Sequence, residues 1–506
     1  MPDEQDEVIR FLADPATHGD TKVDHVETHG AHVFLAGDEA LKIKRAVAYD
    51  YMDFSTLDAR ERMLRRELDL NQSAAPEIYR DVVPVTREGD GLAIDGGGTP
   101  VEWVLRMHRF PEGAELSEVV ARGDFTDDLA EELGHVVSRY HAKAPKREGD
   151  GAELIGAIVS ELDSVFDRMR DRLGADRVTR FSERAHADLD SVGSLLSRRG
   201  REGRVRRCHG DLHLRNLVLI DGRPVPFDAL EFDETLGTCD ILYDLAFLVM
   251  DLQHRQGGRA ANIVLNAWLF DQQGTEDAGL VALPLFMAMR AGIRAMVEVQ
   301  TGAAAHDEQT AHANGRAYLD YALDVLEAAP PRLLSVGGLS GTGKSTLARR
   351  LAPMIGRAPG AVHLRSDLER KALFGAGPQE RLPDDAYTEK AGRAVYDRML
   401  ERAETILGAG QSVLLDATFL SAQERDSAAA LARQMGVRCS GLWLEAPRTT
   451  LTRRVTERRG DASDADAAVV KKQTERDVGK LNWARLDTSG RLEDTVGRAV
   501  ALLFDG

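Results

Sequence analysis

The sequence predicts a mixed chain: an α+β half first, with a strand-rich small lobe and a helical large lobe, then an α/β half built on a parallel sheet. Three observations carry this. Residues 23–44 alternate apolar and polar with period 2, whereas Leu154, Ile158, Leu162, Val165, Phe166 and Met169 repeat with the 3.6-residue period of a helix. A short apolar run, Arg332–Gly337, leads into Gly338-Leu339-Ser340-Gly341-Thr342-Gly343-Lys344-Ser345 and then a helical pattern. Between the two, Ala328-Ala329-Pro330-Pro331 is a stiff break. The expected boundaries are therefore 1–328, a linker at 329–331, and 332–506, with the small lobe at about 20–108 and the large lobe at about 109–328.

Composition sets the outer limits. A chain of 506 residues has room for roughly two to four domains with separate cores. Apolar content of 43% with 29% charged residues is that of a globular protein and excludes a disordered one. A formal charge of −18 repels nucleic acid and disfavours it as a partner. Cys208, Cys239 and Cys439 are scattered and lack Cys-x-x-Cys spacing, so they read as small buried hydrophobes in a reducing compartment. The acidic start, Met-Pro-Asp-Glu-Gln-Asp-Glu, carries no secretory signal, and the expected location is the cytoplasm. The most apolar stretch, about Ala278–Val299, contains Arg290, Arg294 and Glu298 and reads as a core helix, with no membrane partner expected.

Along the chain, His32–Ala36, a Gly37-Asp38 turn and Ala40–Lys44 read as a hairpin. Period 2 puts Lys42 and Lys44 on one face and Leu41 and Ile43 on the other. A strand lysine of this kind can grip phosphate, with Lys42 the first choice and Lys44 the second; both can equally be solvated edge lysines. A helix is expected from about Thr56 to Asn71, opened by Ser55 with Asp58 as a capping box, and its Glu67 is the expected partner of the strand lysine. Val101–Met107 is a further strand, and Arg109–Gly113 a turn that suits a hinge between lobes. Residues 141–205 read as a helical insertion, and helices resume from Asp240 to about 328.

The centre of the first half is His209-Gly210-Asp211-Leu212-His213-Leu214-Arg215-Asn216, followed by Pro226-Phe227-Asp228-Ala229-Leu230-Glu231. Protein kinases use the same Asp-x-x-x-x-Asn spacing with a metal-binding Asp downstream. Positioned negative charge and metal do most of the work of phosphoryl transfer. A turn whose polar groups merely cap backbone is the plainer alternative.

On these residues, with Asp240-Ile241-Leu242-Tyr243-Asp244-Leu245-Ala246, the stretch 20–328 resembles the aminoglycoside phosphotransferase-like kinases. The resemblance implies a two-lobed protein-kinase-like fold, Asp211 as catalytic base, and Asn216 and Asp228 as metal ligands. It implies small hydroxyl compounds as acceptors and leaves open which one. Thr28-His29-Gly30-Ala31-His32 departs from the family pattern, having one glycine where a Gly-rich loop would grip ATP.

In the second half, Gly-x-x-x-x-Gly-Lys-Ser between strand and helix is a P-loop. Backbone N–H groups around Gly338, Gly341, Thr342, Gly343 and Thr346 suit phosphate, Lys344 reaches the β/γ oxygens, and Ser345 holds Mg²⁺. Gln411–Asp416 is a buried strand ending in an acid, a second metal position. Ala417 stands where a motor ATPase would want glutamate. The half instead resembles small-molecule and polynucleotide P-loop kinases, through Ser366-Asp367-Leu368-Glu369-Arg370 and the arginines at 448–459. That resemblance implies Asp367 as base, Arg370 orienting the acceptor, Arg454 and Arg458 closing on phosphate, and Arg425 adding to acceptor binding. A helix cap is the alternative for Asp367 and a solvated surface role for each lid arginine.

Taken whole, the chain resembles a bacterial fusion of an aminoglycoside phosphotransferase-like domain with a zeta-toxin- or polynucleotide-kinase-like P-loop domain. It implies a two-site phosphotransferase using ATP and Mg²⁺ on small-molecule hydroxyls. Its rivals are a regulatory protein whose P-loop half senses nucleotide, and a polynucleotide or nucleotide-sugar kinase in the C-terminal half. Oligomeric state is left open.

Overall fold

The computed structural model describes residues 2–49, 52–305, 307–457 and 462–504. They form two compact units, 1–151 with 198–248, and 152–197 with 249–506. The divisions fall at 151, 197 and 248, not at the proline break.

The first unit is built on a six-stranded sheet in the order Val23–Glu27, Ala31–Ala36, Glu39–Lys44, Thr99–His108, Tyr79–Glu88, Gly91–Ile94. All neighbours are antiparallel. One face buries Phe34, Leu41, Ile43 and Val104 against Val8 and Leu12 of the helix Pro2–Ala13. Phe34 and Ile43 are fully buried, each worth about 1.5–3 kcal/mol relative to exposure. Because alternate residues face opposite sides, Lys42 and Lys44 turn to the other face, where the helix Leu57–Asn71 packs Leu64 on Ala40 and Leu105. The cap of that helix is Thr56, which accepts the N–H of Ala59, and not Ser55. Ser55 lies one residue too early, its own N–H taken by Asp53.

The second unit holds the helix Ala175–Arg201 up to residue 197, the helices Leu283–Ala305 and Glu308–Leu326, and a parallel five-stranded sheet. The sheet order is Val362–Arg365, Val413–Asp416, Arg332–Gly338, Arg438–Glu445, Ala484–Asp487. Its central strands are buried on both sides, as a sheet covered on both faces requires. The mixed α+β and parallel α/β architecture expected from the sequence is present. The helical insertion packs on the later helices, with Leu162, Phe166 and Phe181 meeting at Gly292. Among the described residues one span, Asp277–Gly302, is long and apolar enough to cross a membrane, but 72% of its apolar window is buried inside the protein. Cys208 and Cys239 are buried as expected; Cys439 is exposed, near the start of its strand, which corrects the expectation for that residue.

Candidate active sites

In the first unit, the lysine strand, the helix behind it and the two acidic segments converge. Lys42 Nζ lies 2.7 Å from Glu67 Oε1 and 2.9 Å from Asp228 Oδ1. Lys44 Nζ lies 2.6 Å from Glu67 Oε2 and 2.5 Å from Glu231 Oε1. Neither is a solvated edge lysine. Burial works against the Lys42 ammonium, but Asp228, Glu67 and Glu231 hold it charged well above the usual lysine range. Burial likewise pushes the Asp228 carboxyl up, and Lys42 then pulls it below the ordinary value.

Asn216 Nδ2 donates to Asp211 Oδ2 at 2.8 Å and to the Asp211 carbonyl at 2.9 Å. This spends the side-chain NH₂ on orienting Asp211, so the group of Asn216 able to hold a cation is the side-chain Oδ1. His213 Nε2 is 3.3 Å from the same Asp211 oxygen. Asp228 adopts φ +58°, a left-handed conformation costing about 1–2 kcal/mol for a non-glycine residue. Its neighbours hold it there: the Asp228 N–H donates to Tyr79 Oη at 3.0 Å, and the Ala229 N–H donates to Asn71 Oδ1 at 2.8 Å. Of Thr28–His32, Thr28–Gly30 form the tight turn between the first two strands and Ala31 and His32 open the second, with the Thr28 N–H on the Ala31 carbonyl.

In the second unit the strand Arg332–Gly338 feeds a loop that turns into the helix Lys344–Leu351. Gly341 has φ +86°, and a Cβ there would come within 2.7 Å of the Leu451 carbonyl, so no other residue fits. Gly343 is the helix cap in the left-handed region, and Thr342 Oγ1 and Lys344 Nζ both donate to the Leu339 carbonyl, at 2.8 and 3.1 Å. Asp416 ends the strand beside the loop strand and is buried. Burial pushes its carboxyl up. His363 at 3.2 Å, with the charges of Arg365 and Lys344, more than offsets this and holds it at about 2. Burial also lowers His363 itself, and we take the imidazole as neutral, acting on Asp416 as a hydrogen-bond donor.

Asp367 is half-buried on the helix Ser366–Leu373 and is not its cap, because Arg365 occupies that position and makes no side-chain cap bond. Arg370 donates to the Ala386 carbonyl at 2.7 Å and lies 5.2 Å over the ring of Tyr387. Tyr387 donates to Asp464, and its phenol is raised by burial, then by Asp464 and Asp367. Arg454 donates to the carbonyls of Gly341 and Thr488. The expectation that Arg425 binds acceptor is corrected: its guanidinium is buried and spent on the carbonyls of Phe419, Val478 and Lys480. Arg458 lies outside the described residues.

A family model described as phosphotransferase enzyme family matches residues 40–278, and one described as AAA domain matches 333–477. Over 486 residues the chain is 30% identical to Uncharacterized protein Rv2004c of Mycobacterium tuberculosis and to Uncharacterized protein Mb2027c of Mycobacterium bovis, covering 94% of each chain. The chain belongs to the same family as these mycobacterial proteins. It carries a phosphotransferase domain and a P-loop domain in one polypeptide, and the two together support a kinase activity. Among solved structures it is similar to a choline/ethanolamine kinase family protein from Mesorhizobium loti at 17% identity and TM-score 0.40, over 64% of this chain and 95% of that one. It is also similar to amicoumacin kinase hAmiN at 14% identity and TM-score 0.40, over 63% and 93%.

Several residues that build these sites carry no expectation from the sequence. Asp244 accepts the N–H groups of His209 and Gly210 at 3.2 and 2.9 Å and also contacts His141 Nε2 at 3.1 Å. It lies in the segment that carries the family resemblance, which was the available signal. Tyr79 and Asn71 gave none, because contacts 149 and 158 residues along the chain leave no local pattern. His363 was visible as the polar residue between Val362 and Leu364, facing the other side of its strand.

Proposed function

We propose that the chain is an ATP- and Mg²⁺-dependent phosphotransferase with two nucleotide sites, each passing the γ-phosphate to a hydroxyl of a small-molecule acceptor. The observation that carries this reading is that the first unit sets Lys42 against Asp228 and pairs Asp211 with Asn216, while in the second the charge of Lys344 acts on the buried Asp416. In the first, Asp211 takes the proton of the attacking hydroxyl while Asn216 fixes its orientation. Lys42, steadied by Glu67, meets the nucleotide phosphates. The all-oxygen set of Asn216 and Asp228 fits Mg²⁺.

In the second unit Lys344 and the loop amides bind phosphate, and Ser345 with Asp416 offers a second all-oxygen pair. Bound at either place, Mg²⁺ neutralises charge developing on the phosphoryl oxygens. Asp367 takes the acceptor proton, Arg370 orients the acceptor, and Arg454 adds charge beside the loop.

The test is ³²P transfer from ATP into a cell extract, with products resolved for wild type, Asp211→Asn and Lys344→Ala. Two products, each lost in a different variant, support two sites. One product lost equally in both sinks them.

A gated reading has one observation in its favour: Gln473 Oε1 takes the Ser340 N–H at 2.8 Å, inside the loop that is to bind phosphate. The same experiment separates the two, since a gated kinase yields a single product.

A further inference from the structure

Two groups of side chains from residues 258–277, inside the phosphotransferase match, reach the P-loop sheet within the second compact unit. The helix Gly258–Asp271 sets Asn262 and Asn266 one turn apart. Asn266 Oδ1 accepts the backbone N–H of His363 at 2.7 Å. Asn262 Nδ2 donates to the Ala361 carbonyl at 3.0 Å, and Asn266 Nδ2 approaches the same oxygen at 3.4 Å. Val362–Arg365 is an edge strand of the sheet, so these are the groups an adjoining strand would otherwise take. The two carboxamides stand in for a sixth strand. What they fix is the strand whose His363 bonds Asp416.

The second group centres on Arg402. Asp277 accepts its Nε and Nη2 at 2.8 and 2.9 Å, fork on fork. Its Nη1 donates to Glu369 Oε1 at 2.5 Å, and Glu369 Oε2 accepts Arg398 Nε at 2.7 Å. Arg398 also donates to the Gln273 carbonyl at 3.0 Å. Asp277 and Glu369 are 1% and 2% exposed. Gly274 lets the turn approach, since a Cβ there would lie 3.3 Å from Arg402 Nε at φ +88°. Glu369 belongs to the helix Ser366–Leu373, two residues after Asp367 and one before Arg370. A buried ion set adds little net stability over apolar residues of the same shape, but it admits only one geometry.

We propose that Asn266 and Asp277, residues of the phosphotransferase domain, are positioning residues for the P-loop site. Asn266 sets the strand that orients Asp416, and Asp277, through Arg402 and Glu369, sets the helix that presents Asp367 and Arg370. The proposal rests on reading the P-loop half as a phosphotransfer site. It also means that a fragment cut at residue 332 keeps every residue of that site and loses the partners that align them.

The test uses full-length Asn266→Ala and Asp277→Asn, with Asp277→Glu as the conservative rescue and Lys344→Ala as the control. One readout is hydrogen exchange of amides 361–373; the other is ADP release from Mg-ATP with water as acceptor. The expected result is exchange on the order of 10²-fold faster, confined to that segment. Lys344-dependent kcat falls about 10²-fold while KM for ATP moves by less than about threefold, and Asp277→Glu recovers part of both. Unchanged protection in both variants overturns the proposal. So does local loss of protection with kcat at the wild-type value, or a loss of protection spread evenly over 332–504, which marks a merely structural role. Because the first site would also turn over ATP, ADP release is read in an Asp211→Asn background; release there that survives Lys344→Ala defeats the reading of the P-loop half, and exchange alone then decides whether these residues brace it. If Asp277→Asn does not fold, Asn266→Ala, which removes one half-buried carboxamide, carries both readouts.

Discussion

Glu67 and Lys42 form a pair at 2.7 Å on one carboxylate oxygen, and the second oxygen of that carboxylate takes Lys44 at 2.6 Å. The sequence offered the two lysines as alternatives for one role. The structure gives them different surroundings. Lys44 and its partners Glu67 and Glu231 are buried, whereas Lys42 also meets Asp228, whose side chain is 41% exposed.

Lys44→Met therefore takes from Glu231 its direct ion-pair partner in a buried site, leaving only the more distant charge of Lys42, and costs about 3–5 kcal/mol. Lys42→Met leaves Glu67 paired with Lys44 and Asp228 open to water, so it costs on the order of 1 kcal/mol. Activity runs the other way, with Lys42→Met lowering kcat/KM of the first site far more than its stability. Urea melts and initial rates on the same preparations decide this, and a larger stability loss in Lys42→Met would reverse the assignment.

Asp244 carries the backbone ahead of Asp211, through the N–H groups of His209 and Gly210. Asp244→Ala leaves two buried donors unsatisfied, costing about 2–4 kcal/mol. It also loosens Asp211, so turnover at the first site falls about 10²-fold through geometry alone. Turnover assayed well below the melting temperature separates the two effects. Wild-type turnover with reduced stability would leave Asp244 a fold residue only.

His209 is buried, with Nε2 at the Phe227 carbonyl and no partner on Nδ1. Burial lowers its pKa, against the pull of Asp244 and Asp211. A folded pKa below the unfolded value of about 6.5 gives stability that is present above that pH and lost as pH falls toward the folded value. The melting temperature should drop between pH 7 and pH 5, and His209→Gln should flatten that drop. His32 and His254 are lowered by burial as well, so a residual slope remains. An equal slope in the variant would show that His209 is not among the groups responsible.

Much of this was legible because it is local. Period 2 placed Lys42 and Lys44 on one face whatever the rest of the chain does, and Gly338–Ser345 specifies its loop through backbone freedom that only glycine has. The carboxylate of Asp211 and the carboxamide of Asn216 interact across five residues. What the sequence hid is long-range. Arg425 was expected to add to acceptor binding, but two of the carbonyls it serves lie 53 and 55 residues away, at Val478 and Lys480. The proline break at 330–331 marks where the fold type changes, yet packing does not follow it. Asn262, Asn266 and Asp277 lie before the break and bond to residues beyond it, and no composition shift announces a contact of that kind.

Asp367 gives the last prediction. It sits in the first turn of its helix with the cap position held by Arg365, so loss of a capping bond is not expected when it is changed. Its charge reaches Tyr387, which Arg370 overlies, so three side chains of different chemistry meet around that ring. Asp367→Asn keeps size and helix position while removing the proton acceptor. Affinity for a fluorescent ATP analogue should stay within about threefold, and the ³²P product that depends on Lys344 should fall by about 10²–10⁴. Lys344→Ala should instead remove nucleotide binding at this site, because the loop loses the cation that meets the β/γ oxygens. If Asp367→Asn abolishes nucleotide binding too, the residue belongs with Ser345 and Asp416 on the metal side, and the base must be sought elsewhere around Tyr387.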